Sequence, residues 1–154
     1  MRRAMIAIGL IALTTSESLA SAQRSRVPPP PMTIEMLQMQ FVATTGSDSV
    51  YFSGNGRALS PAAQATLTAQ ARWLLANPMV RARVEGHADE RTPRDYALAI
   101  GERRASAVRD FLVLQGVPAA QLTIISWGKE RPAVAGTSES ALALNRRAKT
   151  ALMR

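Results

Sequence analysis

The chain has 154 residues, with 19 Lys and Arg against 11 Asp and Glu, a net charge of +8, one histidine and no cysteine. The lack of cysteine excludes disulfides, thiolate metal sites and lipid attached to an N-terminal cysteine, so stability has to come from a packed core. The positive balance suits a polyanion, yet the arginines are scattered and aromatic residues are few, which excludes a nucleic-acid surface and leaves an anionic polymer of the cell envelope as the better partner class.

The first elements concern export. Met1-Arg2-Arg3, an apolar run from Ala4 to Leu13 and the small-residue end Leu19-Ala20-Ser21-Ala22 read as a cleaved secretory signal over residues 1–22. The run is far shorter than the roughly 20 residues of a membrane-spanning helix. Cleavage is expected after Ala22, with Ala20 the alternative, and a soluble periplasmic product follows. Removing residues 1–22 takes away Arg2, Arg3 and Glu17, leaving 17 basic against 10 acidic residues, a net +7. Residues 23–40 read as a proline-rich arm, because the four prolines Pro28 to Pro31 favour an extended polyproline II spacer. Met32, Met36 and Met39 within it have loose helical spacing and suit an exposed edge or a partner. Residues 41–154 have the size of one domain.

Within that domain Phe41–Thr45 and Ser49–Phe52 read as short strands around a Gly46-Ser47-Asp48 turn. Ser60-Pro61 is a helix start, an N-cap followed by proline at the first helical position, and Ala63, Leu67, Ala71 and Leu74 recur on one face until Asn77-Pro78. Val80, Ala82 and Val84 alternate with charged residues, as a strand with one solvated face requires. A long helix is expected from about Tyr96 to Gln115, closed by Gly116 and Pro118. Leu122–Trp127 reads as a strand, Ser138 to about Asn145 as a short helix, and Ala148–Met153 as a last strand. The order β-α-β-α-β-α-β predicts a two-layer α/β sandwich with helices packed on one face of a mixed sheet.

The long helix carries an informative charge. Its apolar stripe runs through Ile100, Ala105, Val108 and Leu112, and Arg104 lies one turn from both Ile100 and Val108, on the inward side. A buried guanidinium left unpaired costs about 3–5 kcal/mol, so it needs either an internal carboxylate (Glu85, Glu102 or Asp89) or a bound anion. Asp89, fifteen residues earlier at the exit of the strand around Val84, is placed to face it.

Together Val84-Glu85-Gly86-His87-Ala88-Asp89-Glu90-Arg91, Tyr96, Gly101-Glu102-Arg103-Arg104-Ala105, Gly116-Val117, Ser126-Trp127-Gly128-Lys129-Glu130-Arg131-Pro132 and Asn145-Arg146-Arg147 resemble the OmpA-like peptidoglycan-binding domain, and within it a lipoprotein branch. The resemblance runs from about Ser49 to Met153. It implies a non-catalytic module, without cofactor or metal, that holds the diaminopimelate of peptidoglycan stem peptides. The family aspartate falls on Asp89 and its helix arginine on Arg104, with His87, Thr92 and Arg147 expected at the same site. Chemistry agrees with that assignment, because a carboxylate suits the ammonium and a planar guanidinium suits the carboxylate of a free amino-acid end. A Tol-system protein at residues 87–92 is a further implied partner.

This sequence departs from the family in three places. Ser53-Gly54-Asn55-Gly56 replaces an aspartate-aromatic-aspartate loop, Thr92 and Ala97 replace glycine and asparagine, and the lipid-bearing cysteine is missing. These departures define a competing expectation, a scaffold that keeps the fold, has lost the glycan ligand and acts through envelope proteins. Two enzyme-like readings carry less weight. A lone histidine makes His87, Asp89 and Glu90 a weak metal set. Asp89 and Glu90 are adjacent on an extended loop and point apart, with no activated nucleophile beside them.

Overall fold

A computed structural model describes residues 31–154, and the expected signal segment 1–22 and residues 23–30 of the arm lie outside the described residues. Met32–Arg154 forms one compact unit. Its elements are α1 (Ile34–Thr45), β1 (Ser49–Tyr51), α2 (Pro61–Ala76), β2 (Arg81–His87), α3 (Arg94–Leu114), a 3-10 turn (Ala119–Gln121), β3 (Leu122–Gly128), α4 (Glu139–Asn145) and β4 (Arg147–Met153). The four strands form one mixed sheet in the order β1-β4-β2-β3. Only β2 and β3 run parallel, joined through α3, and β4 lies antiparallel to both β1 and β2.

The sandwich expected from the alternating elements is therefore present, with one correction at its start. Phe41–Thr45 is the last part of helix α1 and not a strand, and residues 34–40, assigned to the arm, are the rest of that helix. Thr33 caps its N-terminus by accepting from the Met36 N–H, and Gly46 closes it in the left-handed region at φ 85°. Tertiary packing overrides the β-propensity of Phe-Val-Ala-Thr-Thr. Phe41 is fully buried and meets Trp73 of α2 edge to face, ring centroids 5.1 Å apart. Gln38 fixes the helix to the sheet, donating to the Thr150 carbonyl and accepting from the Leu152 N–H.

The core fills the space between α1, α2, α3 and one sheet face, with Leu67, Leu74, Val84, Val108 and Leu112 at its centre. Two glycines set the distance between α3 and the sheet. A Cβ at Gly86 of β2 would overlap the Gly101 carbonyl oxygen of α3, and a Cβ at Gly101 would overlap the Ser126 hydroxyl of β3. Backbone-to-backbone contact at this crossing leaves Arg104, the next residue along that face of α3, at the C-terminal end of β2. The Ser126 hydroxyl fastens the crossing by donating to the Leu98 carbonyl at 2.6 Å.

Candidate functional site

Arg104 is 1 % exposed, the largest side chain so fully enclosed. Its partners are all main-chain carbonyls: Nε donates to Gly56 at 3.0 Å, Nη1 to His87 at 2.8 Å and Nη2 to Gly54 at 2.6 Å. Its guanidinium carbon also lies 5.2 Å from the centre of the Phe52 ring. Among the described residues no carboxylate touches it. Burial lowers its pKa to about 10, Asp89 pulls it back up, and the neighbouring Arg146 charge lowers it further. It remains a cation at neutral pH, and one N–H on each terminal nitrogen is uncommitted.

The carboxylates that could form an internal pair are engaged elsewhere or set apart. Glu85 binds Arg83 at 2.7 Å on the open sheet face, and Glu102 is exposed. Asp89, just beyond the end of β2, is buried and faces other arginines. Its Oδ1 accepts from the Arg91 N–H at 3.1 Å, and its Oδ2 accepts from Arg91 Nη2 and Arg146 Nη1, each at 3.1 Å. Burial alone would raise the Asp89 carboxyl, but these hydrogen bonds outweigh it and hold the group below the usual carboxylate range. Arg146 continues the chain of charge, donating to Glu139 at 2.8 Å, and the exposed Arg91 comes within 3.7 Å of the same Glu139. Thr92 closes the turn by donating its hydroxyl to the Asp89 carbonyl at 3.1 Å.

Asp89, Thr92 and Arg104 are thus brought together, and His87 joins them only through its carbonyl. The His87 ring turns to the open sheet face, among Arg147, Glu85 and Lys149. It is buried, neither ring nitrogen makes a well-formed hydrogen bond although the Arg131 main chain lies close to it, and burial followed by the Arg147 charge lowers its pKa to about 4. A metal set of His87, Asp89 and Glu90 is not assembled, since Glu90 lies on the exposed side, 4.0 Å from Lys129. Arg147 requires a correction. It is the first residue of β4, its side chain donates to the Arg131 carbonyl at 3.2 Å, and it does not reach Asp89. Arg146, which caps α4, does. Strand pleating sends neighbouring side chains to opposite faces, and the phase is set where α4 hands over to β4.

Arg146, Arg91, Glu139 and the two loop carbonyls are the site members that sequence reasoning missed. The Asn145-Arg146-Arg147 block was the available signal for Arg146, and only the register chooses between its arginines. Trp73 packs in the core against Phe41, while Trp127 is half-buried beneath Arg131, whose guanidinium carbon stands 3.5 Å from the ring centre. Beside Arg146 opens a groove of about 350 Å³ lined by Tyr51, Phe52, Gly54 and Leu144. A smaller one of about 200 Å³ lies past Glu90 along Pro132–Gly136.

The fold and site are those of an α/β sandwich with a charged cleft at the end of a central strand. Residues 51–146 match the model of the OmpA family, and the chain belongs to that family. It is 46 % identical over 115 residues to the peptidoglycan-associated lipoprotein of Agrobacterium fabrum, an alignment covering 75 % of this chain and 64 % of that relative. The protein of the same name from Pseudomonas aeruginosa is 47 % identical over 97 residues, 63 % of this chain and 57 % of the relative. Among solved structures, the peptidoglycan-associated lipoprotein of Burkholderia pseudomallei superposes with a TM-score of 0.68 at 38 % identity, covering 70 % of this chain and 92 % of that one. The C-terminal domain of Helicobacter pylori MotB shares the fold, with a TM-score of 0.65 at 20 % identity over 70 % of this chain and 84 % of that one.

Proposed function

We propose that this chain is a non-catalytic periplasmic protein that binds peptidoglycan by the zwitterionic end of diaminopimelate in its stem peptides. The observation that carries the reading is Arg104, a buried cation with no carboxylate partner and an uncommitted N–H on each terminal nitrogen. A ligand carboxylate would supply the missing counter-charge. Asp89 would receive the ligand ammonium, and the exposed Arg91 is the partner it can most cheaply release. Arg146, also bonded to Glu139, would keep the aspartate in place. The flanking groove along Tyr51 and Leu144 offers room for neighbouring parts of the peptide.

The same electrostatics speak against hydrolysis. A carboxylate held ionised by two arginines is a poor proton donor, and the Glu90 carboxylate lies 4.0 Å from Lys129. The peptidoglycan association named in the relatives supports the reading, as does the family match.

A second reading has its own observation. The Gly54 and Gly56 carbonyls occupy two sides of Arg104, so the arginine doubles as a staple for the Ser53–Gly56 loop. If that is its whole role, the chain is a scaffold working through envelope proteins, with a Tol-system protein at residues 87–92 the implied partner.

Co-sedimentation with purified diaminopimelate-type sacculi separates the two. Saturable pelleting by wild type, lost in Asp89→Ala and in Arg104→Lys that melt cooperatively, supports the clamp. Lysine keeps the charge of Arg104 but not its planar fork. Equal pelleting by all three means nonspecific attraction, and no pelleting by wild type supports the scaffold.

A further inference from the structure

The pole of the molecule opposite the candidate site has a surface that peptidoglycan binding does not use. Helix α3 starts beside the site at Arg94 and runs for 21 residues to Leu114, which places the two ends about 30 Å apart at 1.5 Å per residue. Strand β2 runs the other way, from Arg81 at this far pole to His87 at the site. Four aliphatic side chains project at the far pole: Met79 is 89 % exposed, Leu114 80 %, Leu75 45 % and Val113 40 %.

These positions belong to one surface. Leu75 sits against Gly116, and the Gln121 side chain donates to the carbonyls of Leu74, Asn77 and Val80, tying the turn after α3 to the end of α2. The unpaired charges around them are positive, the one acid being matched by its neighbouring arginine. Arg72 and Arg81 are exposed, Arg109 is partly so, and Asp110, bonded to Arg109, is the one acid in the adjoining stretches 61–82 and 109–128.

We infer that this pole docks on an anionic phospholipid surface, with Leu75, Met79, Val113 and Leu114 entering the headgroup layer and the arginines meeting lipid phosphates. Aliphatic side chains that project this far need a partner that adapts to their shape, and a lipid interface does so. Charge selects against a second copy of the chain, because face-to-face pairing would set Arg72 and Arg81 against their own kind. An anionic layer instead gains from each arginine brought near it. Docking in this way would turn the Asp89–Arg104 end away from the membrane. The inference stands independently of what that end binds.

The test uses the chain's freedom from cysteine. Full-length protein carrying Leu114→Cys, labelled with a polarity-sensitive fluorophore, is titrated with phosphatidylglycerol-containing vesicles, beside the same label at Leu144→Cys near the site. A blue shift at position 114 and none at 144, absent with pure phosphatidylcholine and weakened roughly tenfold or more in lipid affinity by Arg72→Glu with Arg81→Glu, is the expected result. The position of the label separates this pole from any lipid contact of residues 1–30. Asp89→Ala should leave the shift intact. No shift at 114, or equal shifts at both labels, overturns the inference, as does a shift that grows with protein concentration without lipid, which would assign the pole to self-association.

Discussion

His87 shows how one buried side chain can couple stability to pH. Its ring is enclosed at the end of β2 with neither nitrogen in a well-formed hydrogen bond, and its pKa falls from 6.5 to about 4. The folded state therefore holds the ring neutral where the unfolded chain already takes up a proton. Its contribution is complete above pH 6.5 and is lost as pH falls toward 4, on the order of 2–3 kcal/mol across that window. With a single histidine in the chain, the effect is assignable. Denaturant unfolding should show stability declining between pH 6.5 and 4, and His87→Phe should flatten that slope. A wild-type imidazole titrating near 6.5 in NMR would contradict the burial argument. Asp89 acts in a lower window, because its pKa is depressed below 3.8. Its contribution is present above that value and disappears only as pH falls through the lower folded value, so Asp89→Asn should leave the upper slope unchanged.

At the scale of elements, the crossing of α3 over β2 carries both fold and site. Gly86→Ala forces a methyl group into the Gly101 carbonyl, a backbone atom that cannot move aside without shifting the helix. A loss of about 3 kcal/mol or more is expected, with Arg104 drawn away from the His87 carbonyl. Gly101→Ala should be milder, since the group it meets first is the Ser126 side chain. Urea unfolding of the two variants checks the order. Much of this architecture was legible in the chain. Ser60-Pro61, the alternation around Val84, and Gly116 with Pro118 each state a local rule that the tertiary structure obeys. The inward phase of Arg104 was equally plain from helical spacing. What stayed hidden depends on packing between distant segments. The carbonyls of Gly54 and Gly56 reach Arg104 across 50 and 48 residues, and Arg146 reaches Asp89 across 57. Such contacts have no periodicity of their own to read.

For the whole molecule, the location of the first residue of the folded unit decides what is stable. Reading Phe41–Thr45 as a strand starts the domain at residue 41, yet α1 begins at Ile34 and is bound to the rest at three levels. Ile34 and Leu37 pack against the core, Phe41 fills it against Trp73, and Gln38 bridges to β4 at Thr150 and Leu152. A chain starting at residue 41 keeps Phe41 but loses the turns that hold it in place. It also exposes the surface of α2 beneath Ile34 and Leu37, and leaves the Thr150 carbonyl and Leu152 N–H without Gln38. Partial burial of two aliphatic side chains is worth about 1–3 kcal/mol together, and the lost hydrogen bonds add about 1 kcal/mol each, a sizeable part of the stability of a single domain. A chain starting at residue 32 should melt cooperatively, whereas one starting at 41 should unfold at far lower temperature or fail to fold. Because α1 is remote from Asp89 and Arg104, whatever fraction of the shorter chain does fold should bind sacculi as wild type does. Equal melting temperatures for the two chains would mean that the α1 contacts add nothing to the core, and the sheet with α2 and α3 would then be the complete folding unit.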